Sequence, residues 1–426
     1  VSRPEISLRA AIGSGSPYTN PFIIGSSLIG GTDVLTGRAI VGQGSWEELG
    51  GRCLRVQTRR GRQRALDGYA AGTLSAELDN SDGELDPTYT AGSYSSGGVS
   101  RVRSMAGVDL TATYEGVTYD IWSGFADNWM PRLGYPEGGG TTLTATDAFK
   151  IFAGINPAEQ SSQGAGELTG ARIERILELA GWSSTLRDVD AGVETHQATT
   201  LAQPILTQLR LAADSEAGHL YMGADGKVTF RSRRSRLVNP RSTISQWTFG
   251  DASDDSEICP VAMVPSNSDD VTRNDWRVAR TGGTEVIRQH ADVVTAPYIA
   301  RTFTRSDLSL ETDAQVTAFA ERGLRIFGES RPRVESMVFE PDGRPDQFPV
   351  LLSLLFGDRV TVNVRHPRTG NLWSQDYFVE GVDHDIPVRE SGGKWRTTVW
   401  LADATKFPTE PFIIGQSLIG STAVLV

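Results

Sequence analysis

The sequence predicts a β-rich α+β protein: two β-barrel-like domains, a small helix–helix–hairpin insert between them, and an apolar arm at each end. Three observations carry this expectation. Short runs in which apolar and polar residues alternate at period two stand on both sides of a helical middle. Glycine is abundant, at 46 of 426 residues, which suits the tight turns of sheet proteins. The third is a repeat. Pro21 to Leu35 reads PFIIGSSLIGGTDVL and Pro411 to Leu425 reads PFIIGQSLIGSTAVL, identical at twelve of fifteen positions.

The first arm runs over 1–40, with Gly, Ser and Pro in GSGSP before the repeated apolar segment. A first β-barrel domain is expected over 41–160. Cys53, Leu54 and Val56 open it, and Leu74, Ala76 and Leu78 alternate with polar neighbours, as do Val108, Leu110 and Ala112. Glu115-Gly116 offers a turn before the strand pattern Val117 to Trp122, and TTLTAT (Thr141 to Thr146) closes the segment. An α+β insert is expected over 161–240. Thr169 is placed to cap a helix through ARIERILELAG, with Ile173, Ile176, Leu177 and Ala180 on one face and Gly181 as a left-handed stop. A second helix is expected from Leu201 to Glu216, with Pro204 in its first turn. Asp225-Gly226 between two strand patterns is the strongest hairpin signal.

The second β-barrel domain, with a helix, is expected over 241–403. Trp276 and Val278 alternate before a Gly282-Gly283 turn. A helix follows over Asp313 to Phe327 with Val316, Phe319, Ala320 and Phe327 as its apolar face. Val360, Val362 and Val364, then Trp395, Thr397, Val399 and Leu401, mark further strands. The second arm spans 404–426.

Composition narrows the function. A chain of 426 residues and 46.0 kDa can hold two to four domains, each with its own core. Cys53 and Cys259 are the only cysteines, so neither a disulfide framework nor a CxxC zinc site is expected. The longest apolar run, Phe348 to Phe356, is too short to span a bilayer. No charged-then-apolar leader precedes Val1, so a secretory signal is not expected. A net charge of −11 and pI near 5.1 argue against nucleic acid as the main ligand. Arg231, Arg233, Arg234 and Arg236 are read as a solvated run beside a turn.

No motif demands an enzyme or a cofactor. In LDNSDGELDP, setting Gly83 at the sixth position of a calcium loop puts Leu78 at the first and Tyr89 at the twelfth, and neither can ligate as required. A turn held by Asx side chains fits better. GAGELTG, from Gly164 to Gly170, precedes a helix but has GxGxxxG spacing, no preceding buried strand and no P-loop lysine. Asp383 and Asp385 face away from His384 in a strand, so they cannot both polarise its ring. His196, His219, His290 and His366 are scattered without metal-ligand spacing. No catalytic, cofactor or metal residues are assigned.

Several blocks resemble one family. GRQRALDGYAAGTLSAELDNSDGELDPTYTAGSY is similar to the front domain of minor tail proteins from long, non-contractile-tailed bacteriophages, especially those infecting actinobacteria. ARIERILELAGW and ILTQLRLAADSEAGHLYMGADGKVTFRSR resemble later blocks of the same family. GDRVTVNV, YFVEGVDHDI and WRTTVWLADA resemble the last barrel of tail-hub, or baseplate-hub, proteins. The resemblance covers roughly residues 40 to 403 in family order.

It implies a structural, non-enzymatic virion component at the phage tail tip, made in the host cytoplasm. The implied subunit is a homotrimeric hub whose two barrels per chain match a six-fold tube. It would close the distal tail tube and adapt six-fold to three-fold symmetry. Its implied partners are the distal tail protein, the tape-measure protein and spike or fibre proteins, with DNA only in transit through the lumen. Few residues follow the last expected barrel in this sequence, so an appended hydrolase is not expected. Alternatives are a hexameric distal-tail ring protein and a host-surface carbohydrate-binding tail protein, the latter suggested by nine tryptophans and ten tyrosines.

The terminal repeats lie outside the resemblance. They are either edge strands completing two related domains or equivalent docking arms. As arms, Phe22, Ile23, Ile24, Leu28 and Ile29, with Phe412, Ile413, Ile414, Leu418 and Ile419, would cover a partner surface, since apolar tails need one.

Overall fold

The computed structural model describes residues 3–13, 45–132, 139–158, 161–252, 256–389 and 393–407. It is β-rich, with one large, mostly antiparallel sheet and few helices. The sheet is made of two six-stranded units with the same wiring. In the first, β1 (Glu5–Ala10), β2 (Cys53–Gly61), β3 (Thr73–Asp79), β4 (Gly107–Tyr114), β5 (Val117–Arg132) and β6 (Gly140–Thr146) lie in the spatial order β2-β3-β6-β5-β4-β1. A two-residue strand, Glu47–Glu48, extends it beyond β1.

Between the units come a hairpin of β7 (His219–Met222) and β8 (Val228–Arg231) and the helices α1 (Thr169–Leu179) and α2 (Ile205–Glu216). The second unit comprises β9 (Ser245–Phe249), β10 (Ala262–Ser266), β11 (Arg333–Phe339), β12 (Arg359–Arg365), β13 (Leu372–Pro387) and β14 (Arg396–Asp403). Its order is β10-β11-β14-β13-β12-β9. Strand for strand, that is the order of the first unit. The fifth strands, β5 and β13, each run 16 residues. Each also bulges at the matching place, between Ala126 and Asn128 and between Val379 and Gly381. One difference stands out: β1 pairs β4 antiparallel, whereas β9 pairs β12 parallel.

Each unit curls around its own core. Leu8, Val56, Leu74, Val108, Trp122 and Leu143, one from each strand of the first unit, belong to one buried cluster. Phe249, Met337, Val360, Val379 and Val399 share another, with Met263 of β10 packed against it. This curling places the alternating apolar residues on the inside, as the period-two reading expects. Strand pairing does not close either unit among the described residues. The units are instead fused, because β2 pairs with the C-terminal half of β13 from Arg55↔Pro387 to Gly61↔Gly381.

The middle follows the sequence closely. Ile173, Ile176 and Leu177 of α1 are buried, and Gly181 has φ 66°. Thr169 does not cap α1 through its side chain. Leu168 is the N-cap, and Thr169 Oγ1 instead bonds His196 Nε2 at 2.9 Å. Pro204 stands just ahead of α2 in an extended conformation, which delays the helix to Ile205. Gly226, at φ 74°, turns the β7–β8 hairpin.

A second insertion separates β10 from β11. Asp275–Arg280, Val286–Gln289 and Thr302–Leu308 form their own three-stranded sheet under α3 (Asp313–Phe327). Trp276, Val278, Leu308, Val316 and Phe319 make its separate core. The Trp276–Val278 alternation therefore belongs to this satellite and not to the large sheet. A capping box between Thr312 and Gln315 starts α3. Among the described residues no helix is long and apolar enough to cross a membrane.

Candidate functional site

Fusing the units creates one continuous polar face. Along β2, Val56 and Thr58 enter the core while Arg55, Gln57 and Arg59 project outward. The same alternation sends out Thr73 and Ser75 of β3, Thr144 and Thr146 of β6, Asp383 and Asp385 of β13, and Arg396 and Thr398 of β14. Register aligns them into rows. One row runs Arg396, Asp385, Gln57, Ser75, Thr144, and the next runs Thr398, Asp383, Arg59, Thr73, Thr146. They line an open cleft of about 570 Å³ across the junction of the units.

The charges on this face are matched within the chain. Arg55 donates two bonds to Asp385, at 2.8 and 2.6 Å. Arg59 Nε lies 4.0 Å from Asp383 Oδ2, which accepts the Trp400 indole N–H at 2.8 Å. Burial pushes the Asp383 carboxyl up from its ordinary value. Arg396 and Lys394 both donate to Glu340 at 2.8 Å and hold its carboxyl below the usual range. Asp127 accepts the Thr146 hydroxyl at 2.6 Å and pairs with Lys150. The remaining surface is largely hydroxyl and amide. Such a face can hydrate and pass a polyanion, but it offers few free cations to hold one.

The one histidine among the cleft residues turns away from the polar face. His384 points into the core, where its Nδ1 is 3.0 Å from Thr397 Oγ1. Burial holds its pKa down to about 3, so the ring is neutral. Its acidic neighbours lie on the opposite face, as the alternation expects.

Behind the face sits a buried ionic anchor. The β13 bulge turns Glu380 inward, where it is 1% exposed. Its Oε2 accepts from Arg62 Nε at 2.8 Å and from the Tyr69 hydroxyl at 2.6 Å, and its Oε1 accepts from Arg236. Burial alone would raise this carboxyl, but Arg236 and Arg62 hold it well below the usual carboxylate range. Arg236 stacks its guanidinium 4.5 Å from the Phe378 ring centre. The anchor thus ties β2, β13 and the segment after the β7–β8 hairpin to one carboxylate. Tyr69, Tyr221 and Phe356 pack ring to ring beside it, at centroid distances of 5.1 to 5.7 Å.

Arg236 corrects the solvated reading of its run: it is buried. Arg231 pairs with Asp188 and Asp190, and Arg233 with Glu194. Proximity in sequence to a turn conceals four specific partners: Asp188, Asp190, Glu194 and Glu380. No local signal marks Glu380, because its partners come from distant segments.

The other motifs resolve as structure. In LDNSDGELDP, Asp79, Asn80, Asp82 and Asp86 each accept a downstream backbone N–H, and Asp82 also pairs with Arg52. The GAGELTG loop is occupied by the protein's own cations. Arg172 donates to Gly164 O at 2.7 Å and to Glu167 at 3.0 Å, and Arg175 donates to Glu167 at 2.7 Å. The repeat residues Phe22, Ile23, Ile24, Leu28, Ile29, Phe412, Ile413, Ile414, Leu418 and Ile419 lie outside the described residues.

No family model matches the chain, and no curated protein does. Solved structures do. A tail protein from Neisseria meningitidis aligns with TM-score 0.56 and 10% identity, over 95% of this chain and 98% of that one. The 43 kDa tail protein of prophage MuSo2 from Shewanella oneidensis aligns with TM-score 0.54 and 11% identity, over 96% and 99%. At such identities the likeness is one of fold, and it spans nearly the whole of each chain: this protein has the fold of these two solved tail proteins.

Proposed function

We propose that the chain is a non-enzymatic structural subunit of a phage tail, assembling as a homotrimeric hub at the tail tip. The observation that carries this reading is the duplicated six-stranded unit, two per chain with identical strand order, in a fold shared with two solved tail proteins. Two equivalent units per subunit let three subunits present six, which suits a chain that must meet a six-fold tube above and a three-fold tip below. In this reading each curled unit serves as a barrel, and the polar face lines the channel through which tape measure and DNA leave. Distal tail, tape-measure and spike or fibre proteins would be its neighbours, and the virion its place.

The burial of several tryptophans counts against the carbohydrate-binding alternative. Trp122, Trp276 and Trp395 are each at most 3% exposed and serve as core. The trimer reading is tested by light scattering of the purified full chain, with a particle of three times the 46.0 kDa chain expected. Six chains would favour the hexameric ring, and a tail-tip map without this subunit at the distal tube end would end the hub reading.

A further inference from the structure

We propose that the small cavity beside the Glu380 anchor is a binding site for one monatomic anion, a chloride ion held by Arg236 Nε and His219 Nδ1. The inference concerns the junction inside one chain and does not depend on how many copies assemble.

Size sets the first limit. The cavity measures about 30 Å³ and is lined by Tyr69, His219, Tyr221, Arg231, Arg236 and Phe356, among others. That is room for one water-sized species and too little for phosphate or sulfate.

Orphaned donors point to what belongs there. Arg236 is 6% exposed, and its Nε is buried without a hydrogen-bond partner among the described residues. His219 Nδ1 is buried and unpartnered in the same sense. Burial keeps the His219 ring neutral, and a neutral ring can carry its one proton on Nδ1. A buried donor left unmatched bears its full desolvation penalty.

Charge decides between water and an ion. Arg62 and Arg236 share the single carboxylate of Glu380, which leaves one positive charge over in the anchor. Arg231 adds no surplus, because Asp188 and Asp190 match it. Arg60 adds to it from behind Phe356, with its guanidinium 5.2 Å from that ring's centre. Its Nε is likewise buried without a partner among the described residues, and burial holds its pKa down to about 10. A water molecule brings donors of its own, whereas an anion only accepts. Donors without acceptors beside surplus positive charge therefore select the anion.

The ion would also join parts of the fold. His219 opens β7 and Arg236 follows β8, while Tyr69 follows β2 and Phe356 precedes β12. Chloride at this point ties the middle insert to the fused sheet.

Bromide replaces chloride and scatters anomalously. Crystals of the full chain soaked in sodium bromide should show an anomalous peak within hydrogen-bonding reach of Arg236 Nε and His219 Nδ1. No peak in this cavity overturns the proposal, and a water there in its place does so as well. In solution, the urea midpoint at constant ionic strength should rise as chloride replaces gluconate and then level off, as one saturable site requires. Arg236→Lys keeps a charge for Glu380 but lacks the Nε donor, and His219→Phe keeps a ring without Nδ1. Each variant should move half-saturation to about tenfold higher chloride, the loss expected for one hydrogen bond to a charged group. A midpoint indifferent to chloride, or one whose response is unchanged in both variants, overturns the site. Should either variant fail to fold, the bromide peak in the wild-type chain decides alone.

Discussion

Arg62 Nε donates to Glu380 Oε2 at 2.8 Å across 318 residues of sequence, with the Glu380 side chain buried and that of Arg62 9% exposed. The contact lies where β2 of the first unit meets the bulge of β13 in the second, and Arg236 completes it. The fused sheet is thereby locked at the junction on which the proposed channel face is built.

Glu380→Gln removes the charge and leaves two buried guanidinium groups without it. Breaking a buried pair by removing one partner costs about 3–5 kcal/mol. Urea unfolding of the variant should show a loss of that order. A midpoint within error of wild type would mean that the anchor contributes nothing to the fold.

Gly323 of α3 faces the flat of Trp276, and a Cβ there would lie 2.4 Å from the indole ring. The ring is wedged between strand and helix and stacks on Phe303 at 4.3 Å, so it has little room to retreat. Gly323→Ala would ordinarily gain helix propensity, yet overpacking costs about 1–3 kcal/mol. A lower melting temperature is expected, together with altered tryptophan fluorescence.

Acid should destabilise the protein beginning near pH 6.5. Burial holds His196 down to about 4 and His384 down to about 3, and keeps His219 well below its ordinary value. With folded values below the unfolded one, the unfolded chain takes up protons first as pH falls. Their contribution is complete above about 6.5 and is lost towards about 3. Asp147 acts in the opposite sense. Burial raises it to about 7, so the folded state binds its proton first and gains stability as pH falls through that window. Asp358 and Asp383, also raised by burial, act in the same sense as Asp147, against the three histidines and the lowered Glu380 and Glu257 carboxylates. Urea midpoints at pH 6.5, 5.5 and 4.5 should fall in that order, and Asp147→Asn should steepen the decline.

The polar face should resist DNA binding only while its cations are paired. Asp385→Asn takes from Arg55 the carboxylate that now receives two of its N–H groups. Duplex DNA should then bind the full chain more tightly. The slope of log affinity against log salt should steepen by about one for each additional phosphate that the complex neutralises. Unchanged affinity and slope would show that charge pairing does not keep this face passive.

Much of the fold is legible in the sequence. The α3 bounds, the β7–β8 hairpin at Asp225-Gly226, the stop at Gly181 and the Asx turns around Gly83 all match expectation. Each depends on side chains within a few residues of the backbone they direct. Thr169 looks like a cap in the sequence, but a deeper partner, His196, competes for its hydroxyl. Arg236 looks solvated because its partner Glu380 is 144 residues away. The polar face is half visible: TTLTAT and TLSAELD alternate plainly, but alternation within one strand does not say which strands will lie beside it.

By itself the sequence determined the local grammar: which segments are strands, which are helices, which residues turn inward and where the chain turns back. Those choices follow from periodicity, capping and backbone preference, which act over a few residues. Only the tertiary structure decided that the two halves share one strand order, that β2 lies on β13, and that Glu380 gathers Arg62 and Arg236. The units share wiring without an evident sequence repeat because a curled sheet needs apolar alternation and fitting volume, and many side-chain sets supply both. Partner choice between similarly alternating strands is set by the packing of the whole core, so no single strand announces it.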